Sequence, residues 1–163
     1  MIDMFNHEPD GYECPFCRLV AGVDDPAGVN LTADIVRRNP LATAFVAPGW
    51  WPNNQGHVLV VSDAHHENLY DLPAEAGHAV HDLVREVAVA IRHTYDCAGV
   101  STRQHNEPAG HQTAWHYHVH VFPRYPGDEL YKSPSLPGFA SPAARLPYAR
   151  KLRAYFDLAG VVS

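Results

Sequence analysis

The chain is short of positive charge. Lys and Arg number 12 against 18 Asp and Glu, a formal net charge of −6. A protein that tracks a phosphate backbone carries a basic excess, so nucleic-acid binding is disfavoured. Cysteine is scarce as well. Cys14, Cys17 and Cys97 make an odd number and two of them form a C-x-x-C, which argues against a disulfide framework. Long apolar runs are missing: Val58–Val61 is typical of the longest, far below the roughly 18 residues of a membrane span. Met1–Asp10 is polar and carries no basic-then-apolar leader, so the cytoplasm is the expected compartment.

What is present reads as one globular domain. The 163 residues are 46% hydrophobic and 18% charged, enough to bury a core. Proline (14) and histidine (12) are in excess. Proline points to long ordered loops. Histidine is either surface decoration or chemistry, since imidazole is both a metal ligand and a nucleophile or base near neutral pH.

Along the chain, residues 1–13 read as a loose arm. Cys14–Gly22 reads as a short helical turn, with Pro15 suited to its start. Ile35–Arg38 and Thr43–Ala47 read as strands around the turn dipeptide Asn39-Pro40, and His57–Ser62 as a buried strand. From Pro73 to Tyr95, Val80, Leu83, Val84, Val87 and Ile91 recur at helical spacing. Val100–Asn106 and Trp115–Phe122 follow as strands, and Tyr148–Leu158 as a short C-terminal helix. Strands gathered on each side of one long helix predict an α+β fold with an antiparallel sheet. The domain expected over 14–126 is followed by an extension, 127–163, packed on the same body.

The chemistry concentrates in Trp115-His116-Tyr117-His118-Val119-His120-Val121-Phe122. Side chains alternate faces on a strand, so His116, His118 and His120 share one face while Tyr117, Val119 and Val121 enter the core. At this histidine content such a triplet arises by chance about once in two hundred trials. Two plainer readings stand beside a reactive one: surface histidines, or a pure metal site. The latter counts five candidate ligands with Cys14 and Cys17, one more than a tetrahedral zinc takes.

The wider context resembles the histidine-triad superfamily of nucleotide hydrolases and transferases. Its pattern His-φ-His-φ-His-φ-φ (φ apolar) is matched, with Asn106 ten residues and Gln112 four residues before His116. Gly56-His57-Val58-Leu59-Val60-Val61 with the trailing His65 resembles a second family segment, and Cys14-Pro15-Phe16-Cys17 the N-terminal motif of the zinc-bearing branch. The resemblance implies a five-stranded antiparallel sheet with one long helix, and a homodimer formed through that helix and an edge strand. It makes His118 the nucleophile that forms a nucleotidyl-histidine, a step that a neutral imidazole can take. His120 would donate to the α-phosphate oxygens and His57 would join the cluster. Gln112 and Thr113 would meet phosphate oxygens, and Asn106 the ribose or phosphate region. His at the third position, where transferases of the superfamily carry Gln, implies hydrolysis. The substrate class is dinucleoside polyphosphates or related conjugates. A purine nucleoside phosphoramidase and a non-catalytic nucleotide- or zinc-binding module are the alternatives. A structural Zn2+ would take Cys14, Cys17, His65 and His116, with His66 as the neighbour of His65; the plainer reading buries both thiols. Cys97 has no partner in sequence and reads as core.

The chain also departs from the pattern. The acidic or amide residue that contacts the ribose is replaced by Ala47 or Gly49, depending on the direction of counting. Asn53 or Asn54 could substitute. Trp50 and Trp51 either stack on a base or pack the loop. Phe16 and Phe45 either line the base pocket or belong to the core. Lys132, Arg145, Arg150 and Lys151 make the extension locally basic, as a phosphate-facing or a solvated surface.

Overall fold

The computed structural model describes residues 5–160. Its sheet has five strands, β1 (Ile35–Asn39), β2 (Ala42–Val46), β3 (Val58–Ser62), β4 (Gly99–Gln104) and β5 (His118–Arg124), in the order β1-β2-β3-β5-β4. Every neighbouring pair is antiparallel. Three α-helices accompany it: α1 (Pro15–Val20), α2 (Ala74–Thr94) and α3 (Pro142–Gly160). Among the described residues no helix is long and apolar enough to cross a membrane.

The alternation of side chains divides the sheet's two faces by role. Val36, Ala44, Val46, Val58, Val60 and Val121 join Val80, Leu83, Val87 and Ile91 of α2 and Leu152 and Phe156 of α3 in the main core. Phe45, Leu59 and Val61 point the other way, against Phe16 and Leu19 of α1. The register sets His120 opposite Leu59 and His118 opposite Val61, so both imidazoles emerge on the α1 side. β2 and β3 are buried throughout because both of their faces are covered.

The β1–β2 hairpin is closed by Asn39, whose Oδ1 accepts from Leu41 N (3.0 Å) while its Nδ2 donates to Ala79 O of α2 (2.7 Å). Gly56 precedes β3 at φ +75°, and a Cβ there would come within 2.3 Å of the Tyr148 ring. Glycine is therefore required twice over, by conformation and by space.

Three segments differ from the sequence reading. The arm is not loose over residues 5–13: Glu67 accepts from His7 N and Glu8 N, and Asn68 donates to Asn6. Residues 1–4 of the arm lie outside the described residues, as do 161–163 of the extension. β5 begins at His118, not Trp115, because Tyr117 N donates to His66 O (2.6 Å) and the chain leaves the ladder there. α3 starts at Pro142 and runs through Pro147. Proline suits a first turn, whereas Pro147 deletes one intrahelical bond, which hides this helix from a propensity reading. Packing of α3 on α2 and β1 offsets that loss.

Candidate functional site

Two clusters of side chains sit side by side at the start of β5. The first is a donor set. Cys14 caps α1, its Sγ accepting from Cys17 N (3.4 Å), and this turn presents both sulfurs on one side. Sγ of Cys14 lies 3.2 Å and Sγ of Cys17 3.6 Å from His116 Nδ1. His65 Nδ1 lies 3.4 Å from Cys17 Sγ and 3.2 Å from His116 Nδ1. All four atoms fall within 4.8 Å of one another. A tetrahedral centre with bonds of about 2.3 Å to sulfur and about 2.0 Å to nitrogen has edges of about 3.3–3.8 Å, so the spacing fits one metal ion.

The outer nitrogens are both hydrogen-bonded away from the cluster. His116 Nε2–H donates to Ser62 O (2.7 Å) and His65 Nε2–H to Glu8 Oε2 (2.8 Å). Each imidazole thus keeps its Nδ1 lone pair for the cluster, the outer-shell pattern of metal-binding histidines. Burial and the adjacent Cys14 push the Cys17 thiol up to about 12, a cost that a bound cation reverses. His66 stays outside the cluster and contributes its carbonyl to Tyr117.

The second cluster faces a cavity of about 550 Å³ walled in part by Phe16, Trp51, His57, Thr113, His118 and His120. His118 Nδ1–H donates to the carbonyl of His116 (2.7 Å), which fixes the tautomer and leaves the Nε2 lone pair free. The ring is 6% exposed, but it lies on the cavity wall and outside the donor set. Burial holds its pKa below the ordinary histidine value, so it is neutral at neutral pH.

His57 and His120 share one proton-donor contact, His120 Nδ1 to His57 Nε2 at 3.3 Å. Nδ1 of His57 is buried with no partner. An orphan N–H is rarer in folded proteins than an orphan acceptor, which assigns the donor role to His57 Nε2–H. His120 then accepts at Nδ1 and keeps Nε2–H as a donor. Burial depresses His57 to about 3, with Arg103 and His118 adding to it, and holds His120 well below its ordinary value. Trp51 closes this side edge-on to His57 (5.7 Å) and His120 (6.3 Å).

Other expected residues are placed elsewhere. Phe45 is fully buried beneath Phe16 (5.5 Å) and belongs to the core layer. Trp50 donates from Nε1 to Ala47 O (2.7 Å) and meets Tyr148 edge-on, away from the cavity wall. Asn106 bonds with Gln104 and accepts from Leu69 N (2.8 Å). Gln112 donates to Glu67 O and Ala114 O and accepts from Glu107 N, so its amide is spent within its own loop and on the connection between β3 and α2. Asn53 and Asn54 both turn to Asp128. Ala47 and Gly49 do reach the wall, and their side chains offer it no polar atom. Cys97 is buried in the main core.

The basic extension does not form one surface. Arg145 is buried against Asp34, Lys132 pairs with Glu129 (2.9 Å), and Lys151 lies over the Tyr95 ring at 5.3 Å.

Two residues near the histidines were not singled out from sequence. Arg103, opposite His120 in the ladder, lays its guanidinium 4.6 Å from the Phe122 ring and 4.8 Å from Trp51. His105 donates from Nδ1 to Gly110 O (2.7 Å), and its ring lies 5.9 Å from His120. Their spacing of two from each other was the available signal, but the register that sets them beside His120 is non-local.

Comparison with known proteins places this arrangement. The HIT domain family matches residues 29–127. The chain belongs to the HIT family. Protein hit of Bacillus subtilis is 29% identical over 112 residues, covering 69% of this chain and 71% of that protein. A Zn-bound histidine triad family protein from Mycobacterium smegmatis superposes with TM-score 0.73 at 24% identity, covering 93% of this chain and 98% of that one. A Plasmodium falciparum diadenosine triphosphate hydrolase, solved with cyclomarin A, gives TM-score 0.65 at 17% identity over 94% and 88% of the two chains. At these identities the two structures speak for the fold.

Proposed function

We propose that this HIT protein is a nucleotide hydrolase that acts through a covalent nucleotidyl-histidine on His118, with dinucleoside polyphosphates or related conjugates as the substrate class. The observation that carries this reading is the free Nε2 of His118 on the cavity wall, its tautomer set by the His116 carbonyl. Nε2 attacks the α-phosphorus. A P–N bond forms as the bond from phosphorus to the leaving phosphate oxygen breaks, and the leaving group carries off the electron pair. Water then attacks the same phosphorus, the P–N bond breaks, and a nucleoside monophosphate is released with one proton. His120 Nε2–H donates to a non-bridging oxygen as negative charge gathers there, and Thr113 offers its hydroxyl from the loop side. A diadenosine triphosphate hydrolase shares the fold, so the fold accommodates this reaction class.

Zn2+ held by Cys14, Cys17, His65 and His116 belongs to the same proposal, as a structural ion that ties α1 and the arm to the head of β5. A homodimer does too, formed across α2 and an edge strand of the sheet, β1 or β4. Light scattering that returns a monomer removes this last element.

Purified protein is to be incubated with diadenosine triphosphate and with adenosine phosphoramidate while AMP release is followed. Turnover of the first supports the reading, and turnover of the second alone selects the phosphoramidase. His118→Ala should abolish release with an unchanged melting curve. Undiminished release from that variant refutes the nucleophile, and nucleotide binding without turnover in the parent makes the chain a binding module.

A further inference from the structure

Part of the cavity wall comes from the extension, beyond the residues 29–127 of the HIT domain. Ser135, Leu136, Gly138 and Phe139 line it there. The segment is held at both ends. Leu136 N donates to Trp50 O (2.7 Å) and Ala140 N to Pro48 O (2.8 Å), which docks it on the loop between β2 and β3. Arg145, itself fully buried, donates from Nη1 to Ala140 O. Between these bonds Gly138 takes φ +71°, a conformation that favours glycine.

On this fixed segment Phe139 is 64% exposed and Leu136 42% exposed. Large apolar side chains left open at the wall of a cavity form the kind of surface that a ligand covers. The other neutral aromatics of the wall are already engaged. Phe16 is buried, with the rings of Phe45, His116 and His118 at 5.4–5.7 Å. Trp51 carries the Arg103 guanidinium 4.8 Å over its ring. Phe139 meets no other ring and no cation among the described residues. A nucleotide with its phosphate at the histidines must lay its base elsewhere on the wall, where apolar side chains such as Val29, Leu59 and Leu136 predominate. Every base has a flat π-face, so an open aromatic ring is a contact that it can make whatever its edge carries.

We propose that Phe139 is a specificity-determining residue on which the nucleobase of the substrate stacks. This rests on the nucleotide reading given above. It assigns base recognition in part to the extension, at a position that the histidine pattern does not contain.

Isothermal titration of the full chain tests it with two probes, AMP and ribose 5-phosphate, which keeps the sugar and phosphate and has no base. Phe139→Ala should weaken AMP binding about tenfold, within the range for removing an aromatic platform from one base. Ribose 5-phosphate, titrated at millimolar concentration, should bind parent and variant alike. Phe139→Trp should hold AMP at least as tightly as the parent, whereas Phe139→Leu, apolar without a flat face, should lose most of what Phe139→Ala loses. The melting temperature of Phe139→Ala should stay within about 2 °C of the parent, as for an exposed side chain. AMP affinity of Phe139→Ala within twofold of the parent overturns the proposal, and so does full affinity in Phe139→Leu. An equal loss for both probes, or a melting temperature several degrees lower, also overturns it, because the ring would then shape the fold and not meet the base. A parent that binds neither probe refutes the nucleotide reading itself and this proposal with it, an outcome distinct from failure at Phe139 alone.

Discussion

Arg145→Met tests whether the extension is part of the domain's framework. Arg145 has no exposed surface, and its partner Asp34 is buried with it. Methionine replaces the stem but none of the donors. The Asp34 carboxylate would keep only the bond from Leu31 N (3.1 Å), and Gly28 O would lose its Arg145 donor. Breaking a buried pair by removing one partner costs about 3–5 kcal/mol, mostly the uncompensated charge left behind. For a chain of this size one kcal/mol corresponds to about 2–4 °C, so the melting temperature should fall by about 10 °C. Asp34→Leu added to Arg145→Met removes the stranded charge, and the double variant should be more stable than Arg145→Met alone. Urea unfolding followed by circular dichroism reads four proteins: the parent, Arg145→Met, Asp34→Leu and the double variant. A loss below about 1 kcal/mol for Arg145→Met, or simple additivity of the two changes, would refute the reasoning.

Three further outcomes follow from the same geometry. The folded protein keeps His57 neutral down to about pH 3, whereas the unfolded chain takes up that proton near the ordinary value of about 6.5. Stability is therefore full above about pH 6.5 and declines as pH falls towards 3, by up to about 1.4 kcal/mol per unit for each such imidazole. Urea curves from pH 7 to 4 should be flatter in acid for His57→Gln, and parallel curves would contradict this. Elemental analysis should find one zinc per chain in the parent and none in Cys14→Ser, with chelation lowering the parent's melting temperature; metal-free parent protein insensitive to added zinc would exclude the site. Gly56→Ala should cost several kcal/mol in urea unfolding, since the added methyl meets Tyr148 at a positive φ, and a loss under about 1 kcal/mol would show that the ring moves aside freely.

Period and spacing made the element order legible because each strand and α2 carries its own local pattern. The pairing order was not legible in the same way. β5 lies between β3 and β4, and nothing in the residues of β4 announces that arrangement. The same limit explains the missed neighbours, since Arg103 and His105 meet His120 only through that register. Polar loop residues show another limit. Asn106 and Gln112 stand at the family's spacings, and their amides tie the β4–β5 loop to backbone groups of Leu69 and Glu67, in the connection between β3 and α2. Sequence gives the position of a hydrogen-bonding group and not its partner.

The donor set and the His118 ring are joined through a short stretch of chain at the head of β5. His116 and His118 face the same side two residues apart, a separation of about 6–7 Å along an extended chain. At that distance one ring can enter a metal cluster while the next stays clear of it, provided that the chain bends between them. The bond from Tyr117 N to His66 O supplies that bend, and it carries His116 out of the ladder towards Cys14, Cys17 and His65. The carbonyl of His116 then lies where His118 Nδ1–H can reach it. The residue that joins the donor set by its side chain thus orients the His118 imidazole by its backbone. Loosening the cluster should therefore disturb the free Nε2 of His118, although none of the four donors lines the cavity.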